Sequence, residues 1–376
     1  MRVGHVSFYY WPISGGQEVY IANLNRVLER HGHTATVYQP LRAGARSAPS
    51  IVATPNPAVL VKLLDRLELW PWQWHVFTRM LAVTQQRRLR REDVLICHYA
   101  VHSPALRAMR RKTIVLSHGI EWNRANPTRE TRLREAIARR AFARFTTVAN
   151  DTEYLRHFGL DVAPGTRFFE EVAPGRWFIP NCVDTEVFAP RPATAAFDGR
   201  AVVLVPRPIT KDRGVDLALR AFRQVSERHP DLFLYVVGGP LWGRHYEHCR
   251  WLAGDLGIRE RVVFMGAVDH DAMPALYASA RVALVPTLRR EGTSLSALES
   301  MACGTPTVST NVEGLKDLPT VHAAPEAGDV AEKLLATLRQ PDAVAERQLA
   351  AVRATFNLRN WERAWLEVIA AVAGRC

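Results

Sequence analysis

The sequence predicts an α/β protein made of two doubly wound, Rossmann-like parallel-sheet domains. Three observations carry that prediction. Short β-rich runs alternate with longer helical periods, the pattern of parallel strands joined by crossover helices. That rhythm runs through the first half and restarts near Ala201. The length of 376 residues suits two domains of about 150 residues or more each.

The elements follow in order. Residues 3–8 read as a first strand, not as the basic-then-apolar opening of a secretory leader. Residues 18–29 place Val19, Ala22, Leu24, Val27 and Leu28 at a helical period, with Gly32 as the stop. Residues 34–38, 94–97, 113–117 and 145–149 complete the strands of the first half. The second half offers strands at 201–205, 232–237, 262–264, 282–285 and 307–309, with helical stretches between them. Residues 162–199 hold Pro164, Pro174, Pro180, Pro190 and Pro192 and read as a linker or hinge. The expected domains are therefore 1–180 and 181–358, followed by a last helix near 359–372 that carries Trp361 and Trp365.

Composition narrows the function classes. With 48% hydrophobic and 23% charged residues the chain has material for packed cores, which excludes global disorder. No apolar run reaches the roughly 18–20 residues of a membrane span. Cys97, Cys182, Cys249, Cys303 and Cys376 are odd in number and scattered, which fits a reducing, cytoplasmic setting. The net charge of +12 points to nucleic acid, an anionic membrane surface or anionic small substrates, or to nothing beyond a solvated basic surface. No RNA-binding signature supports the first. Trp70, Trp72 and Trp74, with basic runs at 86–91 and 129–144, raise peripheral contact with anionic lipid against the plainer reading of core tryptophans beside a solvated helix face.

The chemistry concentrates in residues 281–318. A strand at 282–285 runs into a loop containing Glu291, Gly292, Thr293 and Ser294. A helix over 295–303 follows, and Gly304 and Pro306 stop it. Glu291 thus lies at the carboxyl end of a parallel strand, where open α/β sheets bind ligands. The amides of residues 292–295 gather at a helix N-terminus, which favours phosphate. Glu299, eight residues beyond Glu291, can accept two hydrogen bonds from a vicinal diol such as a ribose. Glu291 can do the same for sugar hydroxyls.

The string from Glu291 to Thr310 resembles the signature of family 4 glycosyltransferases, which have the GT-B fold. Other segments match in order. Residues 178–188 are similar to the family's Ile-Pro-Asn-Gly-Val-Asp entry into the second domain. Arg207 with Arg213-Gly214 looks like its Arg…Lys-Gly segment. Residues 237–240 and 263–266 occupy family positions, and Gly15-Gly16 with Gly32-His33 resemble its N-terminal loop and helix end. The resemblance spans nearly the whole chain and is strongest over residues 179–318.

It implies a retaining transfer of a sugar from a nucleoside diphosphate donor to a hydroxyl acceptor, in a cleft between the domains. UDP-sugars are the favoured donors and GDP-sugars the second choice. Acceptors range from a lipid-linked saccharide or polysaccharide precursor to a small metabolite. The second domain would bind donor, the first acceptor, and the last helix (359–376) would pack back on the first, so that the chain crosses twice. No metal cofactor is implied, so cations and aimed amides must balance the departing diphosphate. Arg207 is the first such cation, and Lys211 or Arg213 the second. Gly15 and Gly16 would let amides approach the phosphates, as would Gly292, Thr293, Ser294 and Leu295. Glu299 would hold the ribose. Glu291 and His118 would position the sugar, and Tyr9, Tyr10, Trp11 and Glu121 would meet the acceptor.

The chain departs from the family pattern at three places. Cys182 and Glu313 stand where Gly is usual, and Asp317 replaces a Glu near the sugar. Two metal-like spacings, His245/His248/Cys249 and His98/His102, lack the further ligands of a zinc site, so no metal is expected. Competing readings are a sugar phosphorylase, a nucleotide-sugar epimerase, and a basic RNA- or membrane-binding module without catalysis.

Overall fold

The computed structural model describes residues 1–10, 15–41, 50–55, 57–67, 69, 72–120, 122 and 127–374. The chain divides into two compact units. One comprises Met1–Val162, Phe169–Pro180 and Trp361–Cys376, the other Ala163–Phe168 and Asn181–Asn360.

The first unit runs β1 (Arg2–Val6), α1 (Gly16–Arg30), β2 (Thr34–Pro40), β3 (Ile51–Thr54), α2 (Ala58–Arg66), α3 (Gln73–Thr84), α4 (Gln86–Leu89) and β4 (Val94–His98). A 3-10 stretch (Ala100–Lys112), β5 (Thr113–Ser117), α5 (Arg129–Arg144), β6 (Thr146–Ala149), α6 (Thr152–His157), β7 (Glu170–Ala173) and β8 (Arg176–Phe178) follow. Among the described residues its sheet has the order β3-β2-β1-β4-β5-β6-β8-β7, parallel except for the β7–β8 hairpin. The chain winds outward from β1 and then, in the other direction, from β4. The switch point therefore lies between β1 and β4. Strands buried on both faces read as apolar runs, as in Val-Leu-Ile-Cys-His of β4. Helix α1 buries Tyr20, Ile21, Leu24, Val27 and Leu28 on one face. It ends where Gly32 takes φ +70° and His33 N–H reaches back to Leu28 C=O at 2.9 Å.

The second unit runs β9 (Ala201–Val205), α7 (Val215–Arg228), β10 (Leu232–Val237), α8 (Arg244–Asp255), β11 (Val262–Gly266), α9 (Met273–Ser279), β12 (Val282–Val285), α10 (Leu295–Ala302), β13 (Thr307–Thr310), β14 (Val321–Ala323), α11 (Ala327–Arg339) and α12 (Pro341–Thr355). Its sheet order is β11-β10-β9-β12-β13-β14, and every pairing is parallel. The switch point falls between β9 and β12. Two apolar layers cover the sheet, one around Phe222, Leu234 and Leu334, the other around Leu204, Tyr277 and Met301.

Helix α13 (Leu358–Ala373) closes the first unit. It buries Trp361, Ala364, Trp365, Val368, Ile369 and Val372, the i, i+3, i+4, i+7 stripe of an amphipathic helix. Trp365 is fully buried, and its indole N–H donates to Tyr20 OH at 2.8 Å.

The stretch over 162–199 that the sequence marks as a linker also holds regular structure. It contains the β7–β8 hairpin, turned at Pro174 and Gly175, where Gly175 has φ +70°. Pro174 and Gly175 make a tight turn there. Residues 163–168 group with the second unit, where Gly165 N–H donates to Asp317 at 3.2 Å. The chain therefore changes unit at 162/163, 168/169, 180/181 and 360/361, more often than the two crossings expected. The short strands β3 and β14 were also not expected. Among the described residues no helix is long and apolar enough to cross a membrane.

Trp74 sits in the core of the first unit, stacked on Phe8 at 5.1 Å, with the Arg134 guanidinium 4.7 Å from its ring centre. It is therefore unavailable to a lipid surface, and Trp70 lies outside the described residues. Cys97, Cys182, Cys249 and Cys303 are buried, and no disulfide joins them.

Candidate active site

The carboxyl ends of β9 and β12 assemble a cluster of polar side chains. Arg207 follows β9, and residues 287–294 link β12 to α10. The Arg207 side chain is nearly buried, and its guanidinium donates to Thr287 Oγ1 at 2.7 Å, Ser296 Oγ at 3.1 Å and Ser294 Oγ at 3.3 Å. It also pairs with the Glu291 carboxylate, as does Arg213 from the turn before α7. Arg207 Nε is buried with no hydrogen-bond partner among the described residues.

Two cations thus face one carboxylate beside the start of α10, leaving net positive charge where helix amides converge. Burial raises the Glu291 pKa, but the nearby Arg207 and Arg213 charges outweigh it and hold the carboxyl below its ordinary value. Burial lowers Arg207, and Glu291 works against that.

The backbone around Glu291 is clamped. Its N–H donates to the Glu313 carboxylate at 2.8 Å, and its C=O accepts from Gly314 N–H at 3.0 Å. This gives Glu313 a local task, although the residue sits at φ +42° where the family pattern has glycine. The turn carrying Arg213 is tied to the same loop. Leu288 N–H donates to Asp212 C=O at 2.8 Å, and the Asp212 carboxylate holds Arg289 and Arg290. Lys211 is exposed and has no ion pair among the described residues.

Helix α10 starts at Leu295, with Ser294 as its N-cap. Gly292, Thr293 and Ser294 are buried. The Thr293 hydroxyl accepts from Asn181 N–H at 2.7 Å, so that side chain anchors the loop to the entry segment of the unit. Glu299 lies one turn into α10. Its Oε1 accepts from His270 Nε2 at 2.8 Å and its Oε2 from Tyr277 OH at 3.1 Å. Each oxygen keeps acceptor capacity for a diol. Phe188 packs beside both partners, 5.3 Å from His270 and 6.3 Å from Tyr277.

The hydrogen bond to Glu299 raises the pKa of His270. A raised folded pKa stabilises below the unfolded value of about 6.5, and that stability is lost as pH rises through the folded value. Thermal melts of His270→Ala are therefore expected to lose a pH dependence that wild type shows as pH rises above about 6.5. Parallel pH profiles would count against the pair.

In the first unit, Gly15 is the N-cap of α1 in extended conformation, and a Cβ there would meet only the flexible Glu18 carboxylate, at 2.8 Å. Gly16 opens the helix. His118 follows β5, with Nε2 3.0 Å from His98 Nδ1. Tyr9 turns its ring onto Trp74 at 5.5 Å, while Tyr10 lies beside Asn25, Arg26 and Glu29. The two tyrosines therefore face different surroundings. Trp11 and Glu121 lie outside the described residues.

Among the described residues no group of three or more His, Cys, Asp or Glu side chains is placed to hold a metal. His245 and Cys249 stand 3.8 Å apart and His248 stacks on His245, while His102 bonds to Thr78 at 2.9 Å.

Sequence reasoning missed His270, Tyr277, Thr287 and Ser296. The serine lay in view within the α10 string, where its spacing from Ser294 places both hydroxyls on Arg207. His270 and Tyr277 carried no local signal.

Comparisons with known proteins bear on the family and the fold. Residues 199–352 match the family model "Glycosyl transferases group 1", and residues 14–164 match "Glycosyltransferase Family 4". A GDP-mannose-dependent alpha-(1-6)-phosphatidylinositol monomannoside mannosyltransferase of Mycolicibacterium smegmatis is 28% identical over 325 residues, 79% of this chain and 77% of that one. Among solved structures, a sucrose-phosphate synthase of Thermosynechococcus elongatus superposes with TM-score 0.77 at 17% identity, covering 98% of this chain and 99% of that one. Anabaena HepE in complex with UDP-glucose gives TM-score 0.74 at 16% identity over 99% and 100%. With its two parallel-sheet units and its matches in both halves, the chain belongs to the family 4 glycosyltransferases of the GT-B fold.

Proposed function

We propose that the protein is a retaining, metal-independent glycosyltransferase that moves a hexose from a nucleoside diphosphate donor to a hydroxyl acceptor. The observation that carries this is the pairing of Arg207 and Arg213 on Glu291 beside the start of α10. Two guanidinium groups and helix amides supply the positive field that a leaving diphosphate needs. Arg213, not Lys211, is the second cation. Glu299 binds the ribose, with His270 and Tyr277 orienting its carboxylate. Glu291 and His118 position the sugar. In the reaction the bond from C1 to the phosphate oxygen breaks and the bond from C1 to the acceptor oxygen forms on the same face. The acceptor proton passes to the departing phosphate oxygen.

A GDP-hexose stands ahead of a UDP-hexose as donor. The GDP-mannose-dependent relative shares sequence over most of the chain, whereas the UDP-glucose complex supports the fold alone. The test is calorimetric titration with GDP, UDP and ADP in EDTA, with Glu299→Ala alongside. Binding of GDP that the variant weakens about tenfold or more supports the assignment. Binding that needs Mg²⁺, or that Glu299→Ala leaves intact, sinks it.

A further inference from the structure

Three histidines cross the first sheet in a diagonal row. His5 lies on β1, His98 ends β4 and His118 follows β5, and these strands are neighbours. The register pairs His5 with Ile96 and His98 with Leu116. Each histidine is thus two residues farther toward the carboxyl edge than its neighbour, and all three share one face. His5 Nδ1 is 3.0 Å from His98 Nε2, and His98 Nδ1 is 3.0 Å from His118 Nε2. His5 and His98 are fully buried, and His118 is partly exposed at the edge. Tyr20 meets His118 edge-on at 5.0 Å and His98 at 6.4 Å.

The row imposes a proton count. Burial draws His5 and His118 down to about 3 and His98 well below its ordinary value, so the rings are neutral at pH 7. Three neutral rings carry three N–H groups, and the two hydrogen bonds use two of them. The third proton must sit at one end. One end is His5 Nε2, which is buried and has no partner among the described residues. An N–H there would be an orphaned buried donor, the rarer and costlier kind of unsatisfied group. The other end is His118 Nδ1, at the open edge.

We propose that His98 and His5 are positioning residues that lock His118 in its neutral Nδ1–H tautomer. His118 thereby presents a fixed hydrogen-bond donor at the carboxyl edge of the sheet. Resting on the glycosyl-transfer reading, that donor serves an oxygen of the transferred sugar, where charge shifts during the reaction. His5 donates through Nδ1 to His98, His98 donates through Nδ1 to His118, and His5 Nε2 carries only its lone pair. The orienting partner of a working histidine fixes which nitrogen carries the proton.

The tautomer is read directly from long-range ¹H–¹⁵N spectra of the wild-type protein labelled with [¹⁵N]histidine. A protonated Nδ1 and a bare Nε2 on His118 are expected; the reverse, or an imidazolium at pH 7, overturns the proposal. Kinetics supply a second readout. His98→Phe keeps the shape and removes both bonds, and is expected to lower kcat about 10- to 100-fold. Donor KM and calorimetric nucleotide affinity should stay unchanged. His98→Asn, whose amide can donate to His118 Nε2 from near the lost Nδ1, is expected to recover most of the turnover. Equal kcat in both variants and wild type also overturns the proposal. The expected tautomer without sugar transfer from any nucleotide sugar defeats the glycosyl-transfer reading and leaves the lock standing.

Discussion

Replacing Arg207 by alanine is expected to lower kcat by about 10²- to 10³-fold, the usual cost of removing one aimed donor from a developing oxyanion. The side chain is nearly buried and gathers Thr287, Ser294, Ser296 and Glu291 around one guanidinium. Arg207→Lys is expected to rescue little, because a point charge cannot hold that fork of acceptors. The loss should also reach the fold. Without Arg207 the buried Glu291 keeps only Arg213 as a cation, and breaking such a pair costs about 3–5 kcal/mol. The sign with pH follows from the depressed Glu291 pKa. A depressed carboxylate stabilises above its unfolded pKa, and that stability is lost as pH falls through the folded value. Removing Arg207 raises the folded pKa, so acid unfolding of the variant should begin at higher pH than in wild type. Steady-state kinetics and melts from pH 4 to 7 measure both effects. Turnover within threefold of wild type would remove Arg207 from the chemistry.

Gly214→Ala is expected to cost about 3 kcal/mol or more of stability. Gly214 has φ +67°, and a Cβ there would lie 1.9 Å from the Pro286 carbonyl oxygen. That oxygen belongs to backbone and cannot swing aside. The loop after β12 and the turn before α7 would have to separate, pulling Arg213 away from Glu291. The variant should therefore lose nucleotide affinity as well as melting temperature. Gly328→Ala is the control, since a Cβ there meets nothing within 4 Å and alanine suits a helix. Equal melting temperatures for the two variants would contradict the close approach.

The places of Glu291 in a loop after a strand and of Glu299 in the helix that follows were legible, because each is written in a short stretch of chain. Gly214 stood out only within the segment that resembles the family pattern. Arg207 was legible only beside the family pattern. His270 was not legible, because the turn that brings it to Glu299 is 29 residues away in sequence and a lone histidine there carries no period. His5 and His98 were hidden for a different reason. Their bond spans 93 residues and depends on the register between two parallel strands, which apolar runs do not encode. The β7–β8 hairpin was missed because Pro174 and Gly175 mark a tight turn as readily as a linker.

Helix α13 also sets a schedule for folding. The surface of α1 around Tyr20 is covered by Trp361 and Trp365, which the ribosome makes only after the whole second unit. At about 5–20 residues per second, the first unit waits roughly 10–40 s between the end of β8 and its last helix. During that interval Tyr20, which borders His98 and His118, lacks its two indole partners. The second unit has no such debt, since its strands and helices are contiguous apart from residues 163–168. Vectorial synthesis therefore completes the second unit, with Arg207, Arg213 and Glu291, before the first unit receives its last helix.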